Sequence, residues 1–172
     1  MKYVALLRGV NVGGVTVKMV DLKKILEKEG FKDVVTLLAS GNVVFDAPKA
    51  DARKVAQKIE KALEAKYKRV IRVIVRPMHD IEMLAKSDPF KNIMLTKDRR
   101  FYVTFLDHPA KSHIKSVNYF EVVKTCPFAV CTVLTITPDR ASIDLMDSVT
   151  KHYGKDITTR NWNTVQKILK VA

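Results

Sequence analysis

Apolar residues along the first 75 positions switch between two periods, and the order of the switches leaves few folds open. The stretch "YVALLR", residues 3 to 8, reads as a short apolar strand. From about Lys18, Met19, Leu22, Ile25 and Leu26 recur at helical spacing until Gly30, which supplies a left-handed stop. Phe31 just beyond can close back onto the last turn. Two apolar runs, at about 34 to 39 and 43 to 46, are strands joined by Ser-Gly-Asn, a turn composition. Residues 51 to 68 place Val55, Ile59, Ala62, Leu63 and Tyr67 on one helical stripe, with Lys54, Lys58, Lys61 and Glu64 outside. "VIRVIV" is the fourth strand. The order β-α-β-β-α-β is that of the split βαβ, ferredoxin-like plait.

The pattern then starts again. A short helix after Pro77 is closed by Asp88 and Pro89, because the residue before proline leaves the α region. "RFYVTFL" from Arg100 is a strand, residues 110 to 117 a short helix, "YFEVVK" and "AVCTVLTI" two strands, and residues 139 to 153 a helix ending at Gly154. A brief extended piece around Ile157 completes the set, and a last helix from about Asn161 to Val171 carries Trp162, Val165, Ile168 and Leu169 on one face. The expected fold is α/β in the α+β sense: tandem ferredoxin-like α-β plaits with a C-terminal helix. The expected domains are 1–92, a first plait with a linker helix, and 93–172, a second plait with the final helix. The two halves share an order of elements without visible sequence identity.

The totals suit this organisation. A chain of 172 residues with 47% hydrophobic and 28% charged content has ample material for apolar cores. No apolar run approaches the roughly 20 residues of a membrane span. "YVALL" is cut off by Arg8, so it lacks the apolar region of a signal peptide, and a cytoplasmic location without membrane partners is expected. Cys126 and Cys131 fit neither a redox CxxC nor a zinc pair and are expected to be free. The net charge of +13 attracts phosphate-bearing partners through long-range fields and counterion release. A solvated, lysine-rich surface is the alternative reading of the same charge. The densest stretch, "KYKRVIRVIVR", residues 66 to 76, carries Arg69, Arg72 and Arg76, the last two of which would share one strand face.

In such a sheet the first strand runs antiparallel to the third, so the end of strand one lies beside the start of strand three. Arg8, Asn11, Gly13 and Gly14 in "LLRGVNVGG" should therefore share a sheet edge with Ser40, Gly41 and Asn42. As a site, glycines expose backbone N–H groups at the approach to a helix, and arginine adds a forked donor. As structure, the glycines serve a wide turn, and Asn11 and Asn42 tie loops by side-chain to backbone bonds. "GVNVGG" is neither GxGxxG nor GxxxxGK, so neither established phosphate-loop mechanism applies.

"TTRNWNTV", residues 158 to 165, is the second constellation. Asn161 or Thr159 can cap the last helix, Trp162 can anchor it, and Arg160 stands near the helix start beside Asn163. It reads either as a well-capped tail helix or as an anion-friendly helix start, with Arg160 folded back toward Arg8. His79, His108, His113 and His152 have no metal-ligand spacing, no cofactor motif is present, and no Ser-His-Asp set can be assembled around Ser40. Phe101 and Phe105 share a strand face, either as core or as a base-stacking platform.

These blocks, "YVALLRGVNVGG", "KMVDLKKILEKEGFKDVVTLLASGNVVF", "DPF" and "TTRNWNTVQKIL", resemble the bacterial family known as domain of unknown function 1697. The similarity runs nearly the full length, with residues 91 to 150 matching in element order only. The resemblance implies tandem α-β plaits, a fold more than a function. Its motifs fall on Arg8, Gly9, Asn11, Gly13, Gly14, Ser40, Gly41, Asn42, Thr159, Arg160, Asn161, Trp162 and Asn163. Lys18 stands where many relatives have proline.

The first expectation is a binding protein whose basic groove, lined by Arg8, Asn11, Asn42 and Arg160, takes a nucleotide or RNA. An enzyme acting on a small phosphorylated or carboxylated metabolite is the second expectation, though no general base is evident. The third is a structural or oligomerising module, with a second copy of the chain as partner.

Overall fold

The computed structural model describes residues 1–12, 14–110, 116, 120–136 and 143–171. The chain divides into two compact units, Met1–Met83 with Lys167–Ala172, and Leu84–Gln166. The first contains β1 (Lys2–Leu7), α1 (Met19–Lys28), β2 (Lys32–Leu37), β3 (Asn42–Asp46), α2 (Ala52–Tyr67) and β4 (Val73–Pro77), and α3 (Met78–Lys86) begins in it. The second contains β5 (Arg99–Leu106), β6 (Phe120–Cys126), β7 (Ala129–Thr135), α4 (Ile143–Tyr153) and β8 (Ile157–Asn161), followed by the start of α5 (Trp162–Leu169). The expected helix at 110–117 and the start of the one at 139–153 lie largely outside the described residues.

Both sheets are antiparallel with the same order, β2-β3-β1-β4 and β6-β7-β5-β8. The first strand of each plait is central, hydrogen-bonded to the third and the last. In the first unit the helices cover one sheet face. Tyr3, Ala5 and Leu7 of β1, Val43 and Phe45 of β3, and Val73 and Val75 of β4 form a core with Leu22 and Leu26 of α1 and Val55, Ile59 and Leu63 of α2. Each such fully buried aliphatic side chain contributes about 1.5–3 kcal/mol. The alternate residues Val4, Leu6, Val44 and Ile74 are buried too, so these strands are apolar on both faces rather than alternating with polar ones. In the second unit Leu106, Phe120, Val130, Leu134, Val149 and Ile157 form the corresponding core.

The helix ends follow local chemistry. Gly30 takes φ +88° and Phe31 N–H returns to Leu26 O at 3.2 Å, the closure expected after α1. Asp51 caps α2 by accepting from Lys54 N–H at 3.0 Å. Several boundaries differ from expectation by a few residues, the end of β2 and the start of β4 among them. β2 ends at Leu37 because Leu38 turns into the left-handed region at φ +56°. β4 starts only at Val73, leaving Val70 64% exposed outside the strand.

The pairing registers reveal a kinship that the sequence hides. β1 sets Tyr3–Leu7 against Val73–Pro77, and β5 sets Tyr102–Leu106 against Ile157–Asn161. Aligned on these rungs, "YVALL" matches "YVTFL", and Arg76, opposite Val4, matches Arg160, opposite Val103. Both arginines are 7% exposed. In both, Nη1 donates to the carbonyl of the preceding residue, Val75 O at 3.1 Å and Thr159 O at 2.9 Å. The second strands also agree in carrying a register shift, between Lys32 and Val35 and between Val122 and Lys124.

Both cysteines are free. Cys131 is fully buried, and that burial, helped by Cys126, pushes its thiol up to about 12. At mildly alkaline pH, iodoacetamide should therefore alkylate Cys126 in the folded protein and reach Cys131 only after unfolding, as peptide mass mapping will report. Gly41 offers a second check. It sits at φ +72°, and a Cβ there would lie 2.8 Å from both Leu7 Cβ and Val10 Cγ2. Gly41→Ala should destabilise by about 2–5 kcal/mol, from left-handed strain plus overpacking. Gly154→Ala, at φ +84° with nothing within 4 Å of a Cβ, should cost only the strain, about 1–2 kcal/mol, and urea titration of the two variants will report the difference.

Candidate functional site

Two groups of sequence-selected residues fall in different units. In the first unit, the loop after β1 meets the β2–β3 turn, as antiparallel pairing requires. Leu7 N–H donates to Gly41 O at 2.9 Å. Asn11, held at φ +59°, spans the two segments: its Nδ2 donates to Val17 O at 3.0 Å and Ala39 O at 2.6 Å, and its Oδ1 accepts from Val17 N–H at 2.9 Å. Asn42 is fully buried and donates through Nδ2 to Leu37 O at 2.9 Å and Ser40 Oγ at 3.0 Å. These amides join loop to loop. Arg8 is half-buried, and its backbone N–H donates to Arg72 O at 2.9 Å. Gly14 and Ser40 are exposed, and Gly13 lies outside the described residues.

The second group surrounds the junction of β8 and α5. Thr159 and Arg160 belong to the strand rather than to a helix cap, because they pair with Thr104 and Val103 of β5. Thr104 and Thr159 also share a hydroxyl hydrogen bond of 2.8 Å. Arg160 is inside the protein, where Nη1 also donates to Thr158 Oγ1 at 2.8 Å. Burial lowers its pKa to about 10, which leaves the guanidinium charged at neutral pH. Arg160 and Arg8, expected to converge, belong to different units. The cap is Asn161, whose Oδ1 accepts from Asn163 N–H at 2.9 Å, so α5 starts at Trp162.

Asn161 and Asn163 open onto a cavity of about 410 Å³ within this unit, with Arg99, Arg100, Phe101, Trp162 and Gln166 among its walls. The segment leading into β5 supplies the arginines. Arg100 Nη1 donates to Lys97 O at 2.8 Å and Arg99 O at 2.9 Å, fixing the guanidinium against the turn. Arg99 N–H donates to Thr96 O at 3.2 Å and closes that turn. Beneath lies an aromatic cluster: Phe90 stacks on Phe101 with centroids 4.6 Å apart, and its ring meets Trp162 edge-on at 5.2 Å. Two separate blocks, "DPF" and "TTRNWNTV", thus contact each other through Phe90 and Trp162.

No carboxylate or imidazole lines the cavity. The neighbouring Asp98 is held below its usual pKa, chiefly by the Thr96 hydroxyl at 2.6 Å, then by its own backbone N–H, with Arg99 and Arg100 adding smaller attraction. It therefore offsets part of the arginine charge at neutral pH. Arg99 and Arg100 were not singled out from sequence as site residues. Their signal was adjacency to the Phe101 strand, but only the pairing of β5 with β8 brings them beside Asn161. Among the described residues, no cluster of three or more His, Cys, Asp or Glu is arranged to hold a metal ion, and no helix is long and apolar enough to cross a membrane.

Asn161→Ala removes the α5 cap and should lower stability by about 0.5–2 kcal/mol. Asn163→Ala leaves that acceptor in place and should stay within about 0.5 kcal/mol of the parent in thermal and urea unfolding.

Known relatives place the chain by fold and family. No curated protein matches at a significant level. A conserved bacterial protein from Streptococcus pneumoniae of known structure has the same fold, with a TM-score of 0.70 at 20% identity over 99% of this chain and 97% of that one. The family described as "Protein of unknown function (DUF1697)" matches residues 1–126, and the chain, with its paired plaits, belongs to that family.

Proposed function

We propose that this protein binds a phosphate-bearing ligand, a nucleotide or RNA, in the cavity at the β8–α5 junction. The observation that carries this reading is the presence of two arginines, Arg99 and Arg100, among the residues lining a half-open cavity of about 410 Å³ that no lining carboxylate opposes. Guanidinium forks match phosphate oxygens in geometry as well as charge. The amides of Asn161, Asn163 and Gln166 add neutral donors and acceptors. A formal charge of +13 over the whole chain favours encounter with anions.

Binding fits this cavity better than acid-base catalysis. A proton-transfer enzyme needs a general base within about 2.6–3.2 Å of the reacting proton, and the lining supplies neither carboxylate nor imidazole. At the corner of the first unit, the bonds of Asn11 and Asn42 favour a structural role instead.

Isothermal calorimetry against nucleotides and short RNAs tests the reading. Arg99→Ala and Arg100→Ala should each weaken binding at least about tenfold, a loss of about 1.4 kcal/mol. Asn42→Ala should lower stability by about 1–3 kcal/mol and leave affinity unchanged. If RNA is the partner, the log–log salt slope should be about −0.7 per phosphate contacted. Unaltered affinity in both arginine variants would remove the proposal.

A further inference from the structure

We infer that the β8–α5 cavity is a seat for one nucleoside phosphate, with the base held against the indole of Trp162 and the phosphate at Arg99 and Arg100. This deepens the phosphate-binding reading and rests on it. Three features of the walls distinguish a nucleotide from a smaller anion or a strand.

The first is the indole. Trp162 is half-buried in the wall, braced from behind by Phe90 at 5.2 Å and through it by Phe101. An aromatic ring fixed in this way gives a base a flat partner without losing much conformational freedom on binding. Stacking on such a ring is sequence-tolerant, because every base has a π-face. An inorganic or sugar phosphate would gain nothing from it.

The second is the amide set. Asn163 and Gln166 are exposed residues that line the cavity on successive positions of one helix face, and each amide presents a donor beside an acceptor. That pairing of a carbonyl and an NH2 is complementary to the edges of the nucleobases, as in the bidentate contacts Asn and Gln make with adenine. Asn161 is less available, since its Oδ1 is engaged by Asn163 N–H.

The third is size and the distribution of charge. A volume of about 410 Å³ lies inside the range of about 300–1,000 Å³ typical of small-molecule pockets. Phosphate ion alone would leave most of it to water. A polynucleotide needs positive charge that tracks its backbone past successive stacked bases. Here the arginines are neighbours in sequence, and the lining contains no other cation. Two arginines and one indole in the same lining match a ligand that carries one anionic group and one flat group.

The chain contains a single tryptophan, so its emission reports on this cavity alone. Titration with nucleoside 5′-monophosphates, excited at the red edge of the indole band where nucleotides do not absorb, should give saturable quenching. Ribose 5-phosphate and inorganic phosphate should give none. By calorimetry the mononucleotide should bind at least about tenfold more tightly than ribose 5-phosphate. Trp162→Leu should abolish that advantage while leaving ribose 5-phosphate affinity unchanged, and Trp162→Phe, which preserves an aromatic wall, should retain most of it. Should Trp162→Leu fail to fold, the Phe variant with Asn163→Ala, whose change is confined to an exposed side chain, keeps the comparison intact. Equal affinity for mononucleotide and ribose 5-phosphate would overturn the base seat and leave the phosphate reading standing. Affinity for oligoribonucleotides that grows with length, with no binding of the mononucleotide, would overturn it in favour of a strand. Failure of every phosphate compound to bind would overturn both.

Discussion

Each plait depends on its first strand being hydrogen-bonded on both sides. β1 pairs with β3 and β4, and β5 with β7 and β8, all antiparallel. A central strand in this arrangement brings together segments from three widely separated parts of the chain. It sets the loop after Leu7 against the turn before Asn42, and the turn before Arg99 against the strand end at Asn161. A register slip of one residue in β1 would replace Tyr3, Ala5 and Leu7 by Val4 and Leu6 under the helices, so the size and shape of these side chains, rather than an apolar–polar alternation, hold the pairing in place. Both corners are therefore secured by burial, and their polar side chains act on positions already fixed.

What those polar side chains then do differs between the corners. Asn11 makes three hydrogen bonds to backbone and Asn42 is wholly enclosed, so the amides in the first unit complete the backbone's own bonding. At the second corner the amides of Asn163 and Gln166 face a space large enough for a ligand. Buried polar groups without partners are expensive, and the first corner meets that requirement internally. Exposed amides beside a cavity carry no such constraint and are free to be chosen for a ligand.

The order of elements was legible because apolar spacing records it directly. Met19, Leu22, Ile25 and Leu26 mark α1, and Gly30 marks its end, independent of any tertiary contact. Meeting of the first loop with the hairpin turn was legible too, since it follows from strand direction alone. Arg160 was misplaced for a physical reason: β-branched Thr158 and Thr159 extend β8 to Asn161, and pairing with β5 outweighs the helix-start signal of the polar run. Arg99 and Arg100 stayed invisible as cavity residues because nothing local distinguishes them from other surface arginines. The kinship of "YVALL" with "YVTFL" was similarly hidden, as five residues mean little until both are set on the same rungs.

That internal correspondence bears on why the second corner carries the cavity chemistry. On matched rungs, Arg76-Pro77-Met78-His79 stands where the second plait has Arg160-Asn161-Trp162-Asn163, and in both the strand runs straight into a helix. The buried arginine is common to both, bonded to the preceding carbonyl, which marks it as part of how this strand–helix junction is built. The next residues diverge in kind. Proline has no side-chain acceptor with which to cap the following helix, whereas Asn161 caps α5; and Met78 is buried where Trp162 is only half covered. A junction that needed only to be stable would be well served by the first version, with its apolar residue out of water. The second packs one part of its indole on Phe90 and leaves the rest partly wetted on a cavity that Arg99 and Arg100 also line, which is the arrangement the proposed nucleotide seat requires.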